Sequence, residues 1–209
     1  MKKILMSIVA VLFAANSFAQ YNSGGFSLSE STVYYGVRFG LNLSTLTGDG
    51  TDDASMKAGM NLGGVVGLRV SDSAPLFLES GLYFTMSGAN GKGKDVVNLN
   101  YFEIPILMKY GIQATDDIAV LPYLGPTLRM GIGGKTKEDN GAGGVSSVGS
   151  FSSDGAYNRP DVGIKIGCGV EYNKLYGELG YQFGITNILD SDNNAQHNGA
   201  LFINIGMNF

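Results

Sequence analysis

Residues 33–44, V-Y-Y-G-V-R-F-G-L-N-L-S, alternate strictly between two kinds of side chain. The odd positions, from Val33 to Leu43, are all apolar, whereas the even positions, from Tyr34 to Ser44, are small, polar or charged. Because successive side chains of a β-strand point to opposite faces, this alternation predicts a strand with one apolar and one polar face. A barrel made of such strands turns its apolar face inward if it is soluble, and outward if it lies in lipid.

The same alternation recurs along the chain and predicts eight strands. They cover residues 33–44, 58–71, 75–87, about 96–112, 118–133, 160–172, 175–186 and about 199–209. Long polar loops (45–57, 88–95, 134–159 and 187–198) alternate with short connections, and 134–159 is predicted to be the longest irregular segment. Each strand can cross a bilayer when tilted. The pattern predicts an all-β, eight-stranded antiparallel up-and-down transmembrane β-barrel of the outer-membrane type, with meander topology and both termini in the periplasm.

Three prolines interrupt the predicted strands. Pro122 and Pro126 lie in the fifth strand and Pro105 lies in the fourth. Proline has no N–H to donate to a ladder, so a bulge or missing ladder bonds are expected here.

Charged residues of the strands share one parity, the polar one. They are Arg38, Arg69, Glu79, Glu103, Lys109, Arg129, Lys165, Glu171 and Glu178. A sheet facing water would carry many more Lys and Glu residues. The interior of an eight-stranded barrel is just wide enough for side chains to fill, and buried charges need partners. The set therefore predicts a lumen filled by a network of paired charges, with a soluble barrel as the alternative.

Aromatic residues on the apolar parity sort by depth. Tyr35, Tyr110, Tyr172 and Phe209 fall towards the predicted periplasmic ends of the strands, and Phe84, Phe102 and Phe183 towards the outer ends. Two interfacial girdles of this kind are typical of barrels that span a membrane.

The N-terminus predicts export. Residues 1–19 combine Lys2 and Lys3, an apolar run and Ala19 before the cut, which is typical of a signal peptide. Residues 20–32 are predicted to be a flexible periplasmic leader and residues 33–209 the barrel domain. Without Lys2 and Lys3 the chain has 12 basic and 18 acidic residues, a net charge of −6, which argues against nucleic acid as a partner.

Several stretches carry a family resemblance. They are Y-Y-G-V-R-F-G-L-N-L-S at 34–44, Y-F-E-I-P-I-L-M-K-Y at 101–110, L-P-Y-L-G-P at 121–126 and the terminal Phe209. With these stretches the chain resembles the outer-membrane β-barrel domain family of Bacteroidota, the porin-family or PorT-like proteins. The resemblance implies the fold and the cell outer membrane as location. It also implies that Phe209 is an assembly signal, with the barrel assembly machinery as a partner.

Other motifs do not point to a cofactor or metal. The G-I-G-G-K-T stretch at 131–136 has Arg129 where a phosphate loop needs its first glycine, and Asp190, Asp192 and Asn194 lack the later residues of a calcium loop. Asp49, Asp52 and Asp53 either contact divalent cations or keep a loop soluble. Cys168, the single cysteine, faces outward by parity, and the sole histidine, His197, is expected at the surface of the last loop.

The residues favour a non-enzymatic barrel with a lumen filled by side chains. Its expected partners are outer-membrane lipid, lipopolysaccharide and an extracellular ligand contacted through loops 45–57, 134–159 and 187–198. One alternative is a narrow pore for ions or small solutes. The other is an enzyme that modifies lipopolysaccharide, for which Ser191, His197 and Asp190 are the available catalytic set.

Overall fold

The computed structural model describes residues 33–51, 53–71, 73–91, 95–139, 144–153, 156–190 and 194–209, without the side chains of 138, 139 and 145. The predicted signal peptide (1–19) and leader (20–32) lie outside the described residues. No helix within the described ranges is long and apolar enough to span a membrane.

Eight long strands form one closed antiparallel barrel. With three short additional strands (β5, β7 and β8), the described residues contain eleven: β1 (Val33–Gly48), β2 (Ser55–Arg69), β3 (Leu76–Asn90), β4 (Val96–Tyr110), β5 (Ile112–Gln113), β6 (Ile118–Gly133), β7 (Lys135–Asp139), β8 (Val145–Gly149), β9 (Pro160–Tyr172), β10 (Leu175–Gly184) and β11 (Gln196–Asn208). Around the barrel the order is β1-β2-β3-β4-β6-β9-β10-β11, and β11 returns to pair with β1. The predicted eight-stranded meander is confirmed.

The seam between the first and last strands is complete. The β1–β11 register runs from Gly36 opposite Asn208 to Gly48 opposite Gln196. Beyond it, the Phe209 N–H donates to the Tyr35 carbonyl (2.7 Å), and the Tyr35 N–H donates to the Phe209 carbonyl (3.2 Å). Closure pairs the backbone groups that an open sheet would leave exposed, which is the condition for a sheet to lie in lipid.

The apolar parity of each strand lies on the outside of the barrel. In β1, exposed and buried residues alternate from Val33 to Ser44. Val37, Phe39 and Leu41 are 51%, 48% and 54% exposed, whereas Arg38 between them is 1% exposed. The alternative of a soluble barrel, which needs the apolar face inside, is therefore wrong.

The prolines interrupt ladders without shifting the register. The β3–β4 ladder lacks the pair that Pro105 would form, and the β4–β6 ladder lacks the pairs of Ile106 and Leu107, the first of which would involve Pro126. The β6–β9 ladder continues through both Pro122 and Pro126. Of the two predicted effects of proline, the structure shows missing ladder pairs. The register shift between β4 and β6 lies away from the prolines, at Asn100 and Tyr101.

The prediction that residues 134–159 are irregular is wrong. The segment contains the hairpin β7–β8, which extends the sheet because Val96 and Val97 of β4 pair with Lys137 and Thr136 of β7. The polar sequence of β7 has no apolar alternation, so pairing with β8 and with the neighbouring edge of β4 makes it a strand. His197, expected in the last loop, lies in β11 opposite Thr47.

Candidate functional site: the filled lumen

A group of charged residues fills the lumen near the short connections, and we call it the turn-end cluster. It consists of Arg38, Glu79, Lys109, Glu171 and Glu178, which come from five different strands. Glu79 is its centre: its carboxylate accepts from Lys109 Nζ (2.8 Å) and from the Tyr34 hydroxyl (2.7 Å), and Arg38 Nη2 lies 3.6 Å away. Full burial makes such pairing necessary, because water cannot solvate these charges.

Tyrosine and asparagine side chains connect the rest of the turn-end cluster. Lys109 Nζ donates to the Tyr176 hydroxyl (2.8 Å), which donates to Glu178 (2.9 Å). The Tyr176 ring also lies under Arg38, whose Cζ is 3.9 Å from the ring centroid. Cations, hydroxyls and carboxylates thus form one continuous network across the barrel.

Asn208 of β11 connects charged residues of two other strands within the same network. It accepts from Arg38 Nη2 (2.6 Å) and donates to Glu171 (2.7 Å). Its neighbour on the same face of β11, Asn204, donates to Glu178 (2.5 Å). The inward side chains of the last strand are therefore hydrogen-bonding partners of the charges on other strands.

Two ion pairs occupy the middle of the lumen, and we call them the mid-lumen pairs. Lys165 pairs with Glu103, and Arg129 pairs with Asp161. Strand register explains why the two pairs lie next to each other, because Arg129 lies opposite both Glu103 on β4 and Asp161 on β9. Opposite charges directly across a ladder attract each other, and here they also fill space.

An apolar cluster closes the lumen at the end with the long loops. This mouth cap consists of Leu46, Ala89, Leu99, Tyr101, Phe151 and Ile188. Phe151 and Ile188 come from the segments after β8 and after β10, and not from barrel strands. The Phe151 ring packs edge-on against Tyr101 (centroids 5.6 Å apart) and covers Gly131, where a Cβ would lie 2.5 Å from the ring.

Hydrogen bonds hold the segment of the mouth cap in place. Arg159 donates to the carbonyls of Gly131 and Phe151, each at 3.0 Å. The buried Ser150 hydroxyl donates to the Asn98 carbonyl (2.8 Å). Loop residues are thus fixed to the barrel rim at the positions where they cover the lumen.

Of the nine charged residues predicted for the lumen, eight are buried inside the barrel. Arg69 is the exception: it is half-buried at the turn end, where its Nε donates to the Ser71 carbonyl (2.8 Å). The sequence reasoning missed Asp161, although it has the inward parity of Lys165 on the same strand. It also missed the lumen tyrosines, Tyr34, Tyr83, Tyr123 and Tyr176, because only charges were considered there.

The remaining candidate residues do not form a site together. Phe209 and Cys168 are exposed on the outer surface. His197 Nδ1 lies 3.0 Å from the Thr186 carbonyl, while Asp49 accepts from the Ala195 N–H (3.0 Å). Ser191, Asp192 and Asp52 lie outside the described residues. No three His, Cys, Asp or Glu side chains within the described ranges are grouped so as to hold a metal ion.

Family comparison agrees with this architecture. The family model of the outer membrane protein beta-barrel domain matches residues 18–190. The chain belongs to this family. Membership implies the outer membrane as its location, and hence contact of the exposed apolar belt with lipid. The finer resemblance to the porin-family or PorT-like barrels of Bacteroidota remains a prediction.

Similar solved structures are barrels of low sequence identity. Ail of Yersinia pestis, in complex with the heparin analogue sucrose octasulfate, is 15% identical, with 86% of this chain and 100% of that chain covered and a TM-score of 0.45. Neisserial surface protein A is 15% identical, with 86% and 98% covered and a TM-score of 0.48. A major outer membrane protein of Thermus thermophilus is 15% identical, with 86% and 100% covered and a TM-score of 0.49. Among curated proteins, none matches the chain.

Proposed function

We propose that this protein is a non-enzymatic outer-membrane barrel that does not conduct solutes and acts through its long loops. In this proposal the segments 45–57, 134–159 and 187–198 face the exterior and contact an extracellular ligand. Both termini face the periplasm, where the barrel assembly machinery reads Phe209 during insertion. The alternation of long and short connections supports this orientation, because outer-membrane barrels have short periplasmic turns.

The single observation that carries the proposal is the filling of the lumen along its length. From the turn end outward, the turn-end cluster is followed by the mid-lumen pairs and then by the mouth cap. The largest fully buried side chains include Arg38, Tyr101, Lys109 and Glu103, which project from the wall into the lumen. A solute would have to break buried ion pairs to pass, and separating such a pair costs several kcal/mol.

A narrow pore is the second candidate, and the same observation argues against it. A conducting lumen needs charges that exchange between protein and water, whereas Glu103 and Lys109 are 0% exposed. The lipopolysaccharide-modifying enzyme has less support. Its catalytic set includes Ser191, which lies outside the described residues, so no described contact joins the set.

Planar-bilayer recording tests the proposal. The purified protein should give no stable solute-sized conductance. A general porin recorded in the same bilayers demonstrates the sensitivity of the assay. The double variant Glu103→Ser/Lys165→Ser should also stay closed, because the turn-end cluster and the mouth cap remain. Large, stable conductance of the unmodified protein would overturn the proposal.

Binding through the loops needs its own test. Deletion of residues 144–153, which form β8 and the segment of Phe151, should abolish ligand capture by the intact cell surface while the barrel still inserts. A barrel that inserts without this segment and captures surface ligands as before would contradict a role of loop 134–159.

A further inference from the structure

A groove of about 540 Å³ lies on the outer wall of the barrel near the long loops. Its lining combines apolar residues (Leu41, Ala58, Met60, Met86) with two asparagines and three lysines (Lys57, Lys135, Lys137). The lining residues belong to β1, β2, β3, β4 and β7, which are consecutive neighbours in the sheet. Leu41, Ala58 and Met60 are exposed residues on the outward parity of their strands, so the groove opens on the apolar outer surface of the barrel.

A local irregularity of the sheet accompanies the groove. The β2–β3 ladder is interrupted between Met56 and Asn61, and its register shifts there. Bulges of this kind bend a strand and re-aim its side chains. Ala58 and Met60, which lie in the interruption, line the groove from β2.

The groove is apolar towards the membrane centre and basic further out. Leu41 pairs with Met60, and Met86 pairs with Asn100, which is one step outward from the aromatic pair Phe84 and Phe102. This step of two residues corresponds to about 7 Å along a strand. The Phe84 and Phe102 rings, with centroids 6.4 Å apart, mark the interface region, where aromatic girdles of membrane barrels lie.

Two of the lysines lie still further from the membrane centre. Lys137 pairs with Val96 of β4, and the Lys135 carbonyl accepts from Asn98, so both follow Asn100 in the outward direction. Lys135 and Lys137 are exposed and two residues apart, hence on one face of β7. Among the described side chains, none forms an ion pair with either lysine.

We infer that this groove binds one molecule of a phosphorylated outer-leaflet glycolipid, namely the lipid A part of lipopolysaccharide. The headgroup end of an acyl chain lies against Leu41, Met60 and Met86, and a phosphate group lies at Lys135 and Lys137. Charge complementarity and the order of the groove from apolar to basic select this occupant, because a lipid of the outer leaflet presents its chains and its phosphates in that order. The inference rests on the proposed orientation with the long loops outside.

Native mass spectrometry of the detergent-solubilised mature protein tests the inference. The probes are lipid A with two phosphates, dephosphorylated lipid A and inorganic phosphate. A basic residue near an anionic lipid surface contributes about a fivefold change in affinity, so Lys135→Gln/Lys137→Gln should weaken binding of phosphorylated lipid A about 25-fold. Ala58→Phe should reduce binding by filling the groove without a change of charge.

Lys174→Gln is the matched control, because it neutralises a lysine in the short connection after β9, at the opposite end of the barrel. It should bind lipid A like the unmodified protein. Equal affinity of the double lysine variant and the control would overturn the inference, as would competition by inorganic phosphate at the concentration of lipid A. This result does not depend on the conductance test, because the lysine substitutions would weaken lipid A binding to a conducting barrel as well.

Discussion

Glu79 is the residue whose loss should most destabilise the lumen. In Glu79→Gln the side chain keeps its shape and can still accept from Tyr34, but Lys109 loses its counter-charge at 2.8 Å and Arg38 loses one at 3.6 Å. Lys109 is 0% exposed, so water cannot replace the carboxylate. Removing one partner of a buried pair costs about 3–5 kcal/mol in the free energy of unfolding.

Urea unfolding in lipid vesicles measures this loss. With a denaturant dependence of about 2 kcal/mol per molar urea, the midpoint should fall by roughly 1.5–2.5 M. The double variant Glu79→Gln/Lys109→Met removes both charges of the pair. It should be less destabilised than the sum of the two single variants, because no uncompensated charge of that pair remains.

Glu171 provides the matched control. It is as buried as Glu79, but the structure gives it a hydrogen bond from Asn208 (2.7 Å) and no ion pair within the described residues. In Glu171→Gln the amide oxygen can accept the same hydrogen bond, so the expected change is below about 1 kcal/mol. Equal midpoint shifts for Glu79→Gln and Glu171→Gln would refute the reasoning, since burial alone and not pairing would then set the effect.

Three further predictions concern the wall, the mouth and the terminus. A spin label at Val37 should be accessible to membrane-dissolved oxygen and one at Arg38 should not; the reverse would mean that the barrel faces are exchanged. Gly131→Ala should displace an aromatic ring of the mouth cap, destabilise the barrel by about 1–3 kcal/mol and expose the adjacent loop to protease. Gly133→Ala, where no atom lies within 4 Å of a Cβ, should do neither, and equal cleavage of the two would contradict the packing. Deletion of Phe209 should lower the amount of folded barrel in cells several-fold, as judged by heat-dependent electrophoretic mobility; unchanged assembly would argue against an assembly signal.

Local alternation made the barrel strands predictable. The expected fifth and sixth strands, residues 118–133 and 160–172, have the bounds of β6 and β9. Two strands are longer than predicted at their loop ends: β1 continues to Gly48 and β3 to Asn90. Their additional residues are polar or small except Leu46, which faces inward and so breaks the outward apolar alternation. Pairing with neighbouring strands therefore decides their structure.

The candidate site was predictable in composition but not in connectivity. Parity selected the charged residues that face the lumen, and it would also have selected Asp161. It could not assign Lys109 to Glu79, which depends on the exact β3–β4 register, or Lys165 to Glu103, which lie on strands that are not neighbours in the barrel. The mouth cap was not predictable, since Phe151 and Ile188 lie in segments without a periodic pattern.

The sequence by itself determined the two faces of each strand, the number of barrel strands and the outward direction of the apolar face. The two faces and the number of strands follow from a period of two residues within short stretches of chain. The outward direction follows from the few and nearly balanced charges of the polar parity, which suit a filled lumen. Only the tertiary structure decided which charges pair, how the loops close the lumen and where lysines of β7 meet the apolar wall of β2 and β3. Those contacts depend on ring closure and strand register, which join residues that the sequence keeps far apart.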